Sequence, residues 1–202
     1  MRSKKALYNS ISYLVLEIIS VISGFILPRF ILSAFGSTYN GAITSITQFL
    51  SIVTLLRAGV GGVTRAALYK PLAENNTDAI SAIMNATKIF MKKIAFIFCG
   101  GLCVFAVIFP FILKDFEWIF TFSLVLIMGI STFLQYYFAI SYQMLLVADQ
   151  RQYVSALLQC VSMILNLLTS IVLILLGFGI HVVKLGSALV YCINPIFTVL
   201  YC

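Results

Sequence analysis

The stretch ISYLVLEIISVISGFILPRFILS, residues 11–33, decides the fold of this chain, because it is long, apolar and almost free of charge. A helix needs about 20 apolar residues to cross a bilayer, so the stretch predicts a membrane-spanning helix. Its two charged residues, Glu17 and Arg29, are costly in lipid, roughly 2.5–3.5 kcal/mol each at the bilayer centre. Such groups typically face a hydrated interior, and they therefore predict a polar path inside the protein.

Five further apolar stretches of similar length follow along the chain. The protein has 202 residues, of which 62% are hydrophobic and 9% are charged, whereas about a quarter of a soluble domain is charged. The apolar runs are continuous rather than alternating, which excludes spanning β-strands. The sequence thus predicts one all-α integral membrane domain over residues 1–202, a bundle of six transmembrane helices. The predicted spans are about 11–33, 42–63, 94–113, 119–142, 154–176 and 185–202.

The basic residues predict the orientation of this bundle in the membrane. If the N-terminus is cytoplasmic, nine Lys and Arg residues lie on the cytoplasmic side and only two, Lys184 among them, on the outer side. This bias predicts that both termini are cytoplasmic. Residues 64–93 form the one long connection, and Asn76 or Thr77 can cap an amphipathic cytoplasmic helix over about 77–88 within it.

The charged residues inside the spans have different expected roles. Glu17 and Arg57 each lie about 9 Å from the cytoplasmic edge of two antiparallel spans, at 1.5 Å per residue, so their side chains can meet. Glu17 is therefore predicted either to form a buried ion pair with Arg57 or to contact a ligand directly. Arg29 has no acidic residue at its level. Its guanidinium either reaches the outer interface or binds an anion, for which phosphate is the natural ligand.

Polar side chains recur at helical spacing in three of the predicted spans. The fifth span has the longest stripe, from Ser155 to Thr169, and the fourth has a shorter line through Thr132, Gln135 and Tyr142. Two explanations stay open, hydrogen bonds that hold helices together and a hydrated cavity. The three intramembrane charges favour the cavity. Its predicted polar lining is Gln48, Ser51, Gln135, Gln159 and Asn166.

Other classes of function lack the residues that they need. Cys99 and Cys103 are four residues apart, but no His or carboxylate lies near them in the sequence, so packing is predicted rather than a metal site. The single histidine, His181, is expected in an outer loop without partners. We therefore predict no catalytic residue, no metal and no enzyme activity. Membrane topology accounts for the net charge of +7, so nucleic acid is not an expected partner.

Several motifs resemble one family of membrane transporters. They are FILPRFILSAFG at 25–36, LLRAGVGG at 55–62, RAALYKPL at 65–72, LVADQRQY at 146–153 and VKLGS at 183–187. Through them the chain resembles the bacterial polysaccharide flippases. These are the Wzx-like, oligosaccharide-flippase members of the superfamily that also contains the MATE drug exporters and the lipid II flippase.

The resemblance implies a two-lobed bundle of twelve or fourteen helices that moves its substrate outward by alternating access. The implied substrate is an undecaprenyl-diphosphate-linked oligosaccharide, made for O-antigen or exopolysaccharide at the bacterial cytoplasmic membrane. The resemblance also implies that Arg29 and Arg57 bind the diphosphate, and that Glu17 holds Arg57 or binds a coupling ion. Expected partners are this lipid-linked glycan, membrane lipids and the polysaccharide biosynthesis enzymes. No cofactor is expected beyond Na⁺ or H⁺ for coupling.

Members of this family are about twice as long, so the chain resembles an N-terminal lobe. A C-terminal lobe or a second copy would then be needed to enclose a transport path. Two alternatives stay open. One is a multidrug or cation exporter of the same superfamily, which is expected to use acidic residues in this lobe, and Glu17 is the one candidate. The other is a truncated half-protein that does not transport.

Overall fold

The computed structural model describes residues 2–113 and 115–201, except for the side chains of residues 2–4 and 53–58. This described part consists of helices and turns and contains no strand. A five-residue π-helical turn, Gln135–Ala139, joins the fourth α-helix to the fifth. The α-helices of the described part are α1 (Arg2–Phe35), α2 (Ser37–Glu74), α3 (Thr77–Ile112), α4 (Trp118–Leu134), α5 (Ile140–Ala148), α6 (Gln152–Leu175) and α7 (Ile180–Tyr201).

Five helical segments of the described part are long and apolar enough to cross a membrane. They are α1 from Lys5 onward, α3, the continuous segment of α4, π turn and α5, and then α6 and α7. They confirm the predicted all-α, multi-pass membrane architecture. The predicted span 42–63 lies in α2, which is not among the five, and the side chains of 53–58 within it are outside the described residues. The six-span count and the cytoplasmic location of both termini therefore stay predictions.

Residues 64–93, predicted as a long connection, are helical except for the turn at Asn75 and Asn76. Asn75 adopts the left-handed conformation with φ 53°, which asparagine tolerates better than most residues. The Asn76 side chain accepts a hydrogen bond from the Ala79 backbone N–H at 3.0 Å, which confirms Asn76 as the helix cap. Residues 77–88 form the first part of α3 and run into the span without a break.

The main core lies where α3 packs against α2 and α4. Phe49 of α2 stacks on Phe105 of α3 with ring centroids 3.7 Å apart, and Phe98 is buried in the same cluster. The backbones of α3 and α4 approach closely at Gly129, because a Cβ atom there would overlap the Leu102 side chain. The absence of a side chain at Gly129 therefore sets how near α4 can lie to α3.

The other helices surround a polar space. α6 packs against both α1 and α7, while α4 packs against α7. At the α6–α7 contact, a Cβ atom on Gly186 would lie 2.8 Å from the Leu173 Cδ1 atom, so glycine permits the close approach. α6 buries Ser162 and Asn166 and exposes Leu168, which places its polar face inward and its apolar face outward. The polar faces of α4, α6 and α7 therefore meet inside the bundle.

Candidate functional site

Two adjoining clefts lie between α4, α6 and α7, and they share Ser131 and Tyr191. The second is also bordered by α1 and α2. Their volumes are about 280 Å³ and about 320 Å³. We call the first the amide cleft; it is lined by Ser131, Thr132, Gln135, Gln159, Ser162, Met163, Tyr191 and Asn194. We call the second the lysine cleft; it is lined by Leu27, Thr47, Leu50, Met128, Ser131, Asn166, Lys184, Ser187, Ala188 and Tyr191.

Helical spacing explains why these polar side chains share the cleft walls. On α7, Lys184, Ser187 and Tyr191 follow one another at steps of three and four residues, so they lie on one face of the helix. Leu185 and Leu189 lie between them in sequence and are 47% and 63% exposed on the outside of the bundle. The helix thus has an apolar outer face and a polar inner face, as expected for a membrane helix that borders a hydrated interior.

Hydrogen bonds join α6 to α7 along the lysine cleft. The Asn166 Nδ2 atom donates to the Tyr191 hydroxyl at 3.4 Å, and the Ser170 hydroxyl donates to the Asn166 Oδ1 atom at 3.4 Å. The hydroxyl oxygens of Ser170 and Ser187 are 3.1 Å apart. These bonds orient the Asn166 amide with its donor group toward Tyr191, and they hold the two helices in register.

Among the described residues of the two linings, Lys184 is the one basic residue, and none is a carboxylate. Its side chain is half-buried. The ion pairs of the described residues involve the carboxylates of Asp149 and Glu74 instead, both away from the clefts. An ammonium group without a counter-ion is costly to enclose, so the lysine cleft favours an anion.

Three of the residues predicted to line a cavity lie in the clefts. Gln135, at the start of the π turn, and Gln159, on α6, both line the amide cleft. Asn166 lines the lysine cleft, seven residues or about two helical turns further along α6. The structure therefore places these three amide side chains along a continuous polar surface between α4, α6 and α7.

The residues of α2 that line the lysine cleft each come one position before the predicted ones. Thr47 and Leu50 line the cleft, whereas Gln48 and Ser51 are exposed and belong to neither lining. The Ser51 hydroxyl donates to the Gln48 backbone carbonyl at 2.6 Å. Neighbouring positions on a helix point about 100° apart, so a rotation of α2 by about 100° separates the two sets.

The predicted charged ligands are not in the cleft linings of the described residues. Arg29 is exposed on α1, although Leu27, two residues earlier, lines the lysine cleft. Glu17 is also exposed. The Arg57 side chain lies outside the described residues, so its pairing with Glu17 and its contact with an anion stay predictions.

The role of α7 in forming the clefts was not predicted from the sequence. Lys184 was counted only as an outer basic residue, and Tyr191 and Asn194 were not singled out. The signal was present, because positions 184, 187, 191 and 194 recur at helical spacing. It was hidden because α7 begins at Ile180, five residues before the predicted span, so Lys184 is within the helix and not in a loop.

The prediction that His181 stands in a loop without partners is wrong. His181 lies in the first turn of α7, and its Nε2 atom is 2.8 Å from the Ser123 hydroxyl and 3.1 Å from the Phe120 carbonyl oxygen. Its ring also meets the Phe120 ring edge-on, with centroids 4.3 Å apart. These contacts attach the start of α7 to the start of α4.

The described residues contain no group of three or more His, Cys, Asp and Glu side chains that could hold a metal ion. Cys99, which is half-buried, and Cys103, which is exposed, lie on α3 as free cysteines. The clefts thus offer amides, hydroxyls and one ammonium group, which suit a ligand that forms hydrogen bonds and carries negative charge.

Spanning helices around a polar interior define a multi-pass membrane protein, and solved structures of MATE share this fold. The structure of MATE in complex with MaL6 superposes with a TM-score of 0.80 at 13% identity, over 98% of this chain and 45% of that chain. A mutant of MATE and MATE in the straight conformation each give 0.77 at 15% identity, over 96% of this chain and 43% of theirs.

At this level of identity the likeness shows the fold, and the chain spans less than half the length of those proteins. No protein-family model matches the chain, and no curated protein matches it. The MATE-like part of the expected architecture is therefore confirmed, whereas the polysaccharide-flippase subfamily stays a proposal.

Proposed function

We propose that the chain is part of a flippase that moves an undecaprenyl-diphosphate-linked oligosaccharide across the bacterial cytoplasmic membrane during surface polysaccharide biosynthesis. The observation that supports this most is the chemistry of the two clefts. The described residues of their linings combine amides and hydroxyls with Lys184, and none of them is a carboxylate. Such a lining suits a substrate that is both rich in hydroxyl groups and negatively charged.

The amide cleft has the groups that a glycan needs. Carboxamides such as Gln135, Gln159 and Asn194 both donate and accept hydrogen bonds, as sugar hydroxyls do. Ser131 and Tyr191 add hydroxyl groups at the boundary with the lysine cleft. A glycan in the amide cleft would therefore lie beside a site that favours an anion.

A multidrug exporter for cations is the main alternative, because it has the same fold likeness. Lys184 opposes it, since two like charges 4 Å apart repel by roughly 4 kcal/mol at an effective dielectric constant of 20. The lining residues that the structure describes also include no carboxylate to offset that repulsion for a cationic drug. The cleft chemistry thus favours the anionic substrate. The third possibility, a half-protein that does not transport, differs from the proposed flippase only in lacking transport activity.

The remaining predicted residues have proposed roles in the complete transporter. Arg29 and Arg57 would bind the diphosphate, and Glu17 would position Arg57 or bind a coupling Na⁺ or H⁺. Gln48 and Ser51 are exposed, and they would contact the substrate from the side that a second lobe or second copy covers. The polysaccharide biosynthesis enzymes would supply the lipid-linked glycan.

The test compares polysaccharide export with drug export in cells that lack the chromosomal gene. A Gln135→Ala/Gln159→Ala double variant is expected to lower surface polysaccharide by roughly thirtyfold, since two hydrogen bonds of about 1 kcal/mol each are lost. Asn85→Ala, at an exposed position of α3 outside both clefts, is the matched control and should leave export unchanged.

Resistance to the cationic dye ethidium is measured in the same strains. Loss of polysaccharide with unchanged ethidium resistance supports the flippase. Normal polysaccharide with lost ethidium resistance would support the exporter instead. If deletion of the gene changes neither property, the proposed transport function is wrong.

A further inference from the structure

We propose that Lys184 is an anion-binding side chain of the cleft, and that it binds a phosphate group of the lipid-linked substrate. The inference rests on the proposed function for the identity of that substrate, and it adds a ligand on α7 to the two arginines of α1 and α2. It also gives the bound substrate a direction, with its phosphate in the lysine cleft and its sugars in the amide cleft.

The position of Lys184 separates it from an ordinary interfacial lysine. It is the fifth residue of α7, which begins at Ile180, so about one helical turn precedes it. Its side chain is half-buried and forms part of the cleft wall with Ser187 and Tyr191. A lysine that only reached for the membrane surface would lie along an apolar outer face.

The charge of Lys184 has no counter-ion among the described residues. Glu17, Asp115 and Glu117 are all exposed, and none of them forms an ion pair with it. A half-enclosed ammonium group is stabilised most by a ligand that carries a negative charge into the cleft. Phosphate oxygens are suitable, because a lysine binds them as a compact point charge with three donors.

Neighbouring donors can complete the coordination of a phosphate. The Tyr191 hydroxyl accepts a hydrogen bond from Asn166, which leaves its own proton available for a ligand. The amide of Asn166 has a second N–H, and its Oδ1 atom is already occupied by Ser170. Lys184 and Tyr191 on α7 and Asn166 on α6 all line the lysine cleft, so two neutral donors border the same cleft as the ammonium group.

Tyr191 also connects the two clefts, because it lines both of them. A phosphate bound at Lys184 would place the first sugar near Tyr191 and Ser131, and the following sugars near Gln135 and Gln159. This order matches the covalent order of the proposed substrate, in which the diphosphate joins the lipid to the glycan.

The experiment measures binding of two lipids to the purified full chain in a neutral detergent by native mass spectrometry. The probes are undecaprenyl diphosphate and undecaprenol, which have the same chain and differ in charge. The wild type is expected to prefer the diphosphate at least roughly tenfold, which corresponds to about 1.4 kcal/mol. Lys184→Gln should remove most of this preference, whereas Lys184→Arg should retain it because the charge is kept.

Lys93→Gln is the matched control, because Lys93 is an exposed lysine of α3 outside both clefts. It should leave the preference unchanged. Lys184→Met, which has similar length and no charge, is the second variant, and it should lose the preference as Lys184→Gln does. Each variant is compared at equal fractions of monodisperse protein in size-exclusion chromatography, so that a folding defect is not read as a binding defect.

Two competitors identify the source of the phosphate. Inorganic diphosphate and phosphatidylglycerol should each compete at least roughly tenfold more weakly than undecaprenyl diphosphate. Equal competition by either would overturn the inference, because Lys184 would then bind free diphosphate or an ordinary phospholipid. If Lys184→Gln and Lys184→Met keep the wild-type preference, the inference is wrong although the proposed function survives. If the wild type shows no preference, the proposed function itself fails.

Discussion

Asn76 shows how much one side chain contributes to this fold. It ends the turn between α2 and α3 by accepting the Ala79 N–H, and it follows Asn75, whose left-handed backbone reverses the chain. The first turn of a helix has backbone donors without partners inside the helix, so a side-chain acceptor there is stabilising. α3 is also the helix whose later part forms the core with α4, and its start is therefore fixed before its span begins.

Asn76→Ala is expected to lower the free energy of unfolding by about 1 kcal/mol, because it removes this cap. Thermal unfolding of the purified protein in detergent measures the change. Asn85→Ala, at an exposed interior position of the same helix, is the control and should not destabilise the protein, since alanine favours the helix. Equal melting temperatures for both variants would show that the cap has no effect on stability.

Single residues also mark the limit of what the sequence could predict. Asn76 was predictable, because caps follow a local rule that needs only the next few residues. Lys184 was not, because a lysine near a helix end serves equally well for orientation in the membrane. Only the packing of α6 and α4 against α7 determines that its side chain lies in a cleft wall. The face of α2 that borders the cleft could not be predicted for the same reason. The rotation of α2 about its axis determines whether Thr47 or Gln48 faces the cleft, and packing sets that rotation.

At the scale of the elements, closely packed pairs of helices form the walls of the clefts. The all-α membrane architecture could be predicted because apolar length is a strong signal for a membrane helix. The helix over about 77–88 was predicted, whereas the continuation of α2 to Glu74 was not, since polar helical turns carry no such apolar signal. The approach of α4 to α3 depends on a contact between residues far apart in sequence, Gly129 and Leu102.

Gly129→Ala is expected to destabilise the protein by about 1–3 kcal/mol, because the added methyl group overlaps the buried Leu102 side chain. The melting temperature in detergent measures this. Gly100→Ala on α3 is the matched control, because nothing lies within 4 Å of its added Cβ atom. It should stabilise the helix by up to about 1 kcal/mol.

Leu102→Ala in the Gly129→Ala background makes room for the added methyl group. The double variant should therefore lose less stability than the sum of the two single changes. Strict additivity would contradict a direct contact between these two positions.

At the scale of the whole molecule, the charges at the helix ends predict an orientation. A cluster at one end joins α1 to the α5–α6 turn, where Asp149 pairs with Lys5 and Arg151. Asp149 and a hydrogen bond to Tyr201 raise the pKa of Arg151 above its ordinary value, the hydrogen bond more strongly. Arg151 therefore stays cationic at any physiological pH, and the predicted cytoplasmic side keeps its positive charge.

The orientation is tested by cysteine labelling in a variant whose native cysteines are replaced by serine. Asn75→Cys, in the exposed α2–α3 turn, should react with a membrane-impermeant maleimide only after the cells are opened. Glu117→Cys, exposed before α4, should react in intact cells. The opposite pattern would invert the predicted topology.

The π-helical turn changes which residues of its span lie on the same helix face. In a regular helix, residues seven positions apart share a face, and Gln135 and Tyr142 are separated by seven. Gln135 lines the amide cleft, yet the Tyr142 ring lies 4.4 Å from the Lys88 Nζ atom on α3. The Ile140 N–H reaches back to the Gln135 carbonyl, which adds one residue to the turn. Side-chain directions after the π turn are therefore rotated by about 100° relative to those of a regular helix. In an alignment or a mutagenesis scan of this span, the residues of α4 and those of α5 must be assigned to helix faces separately.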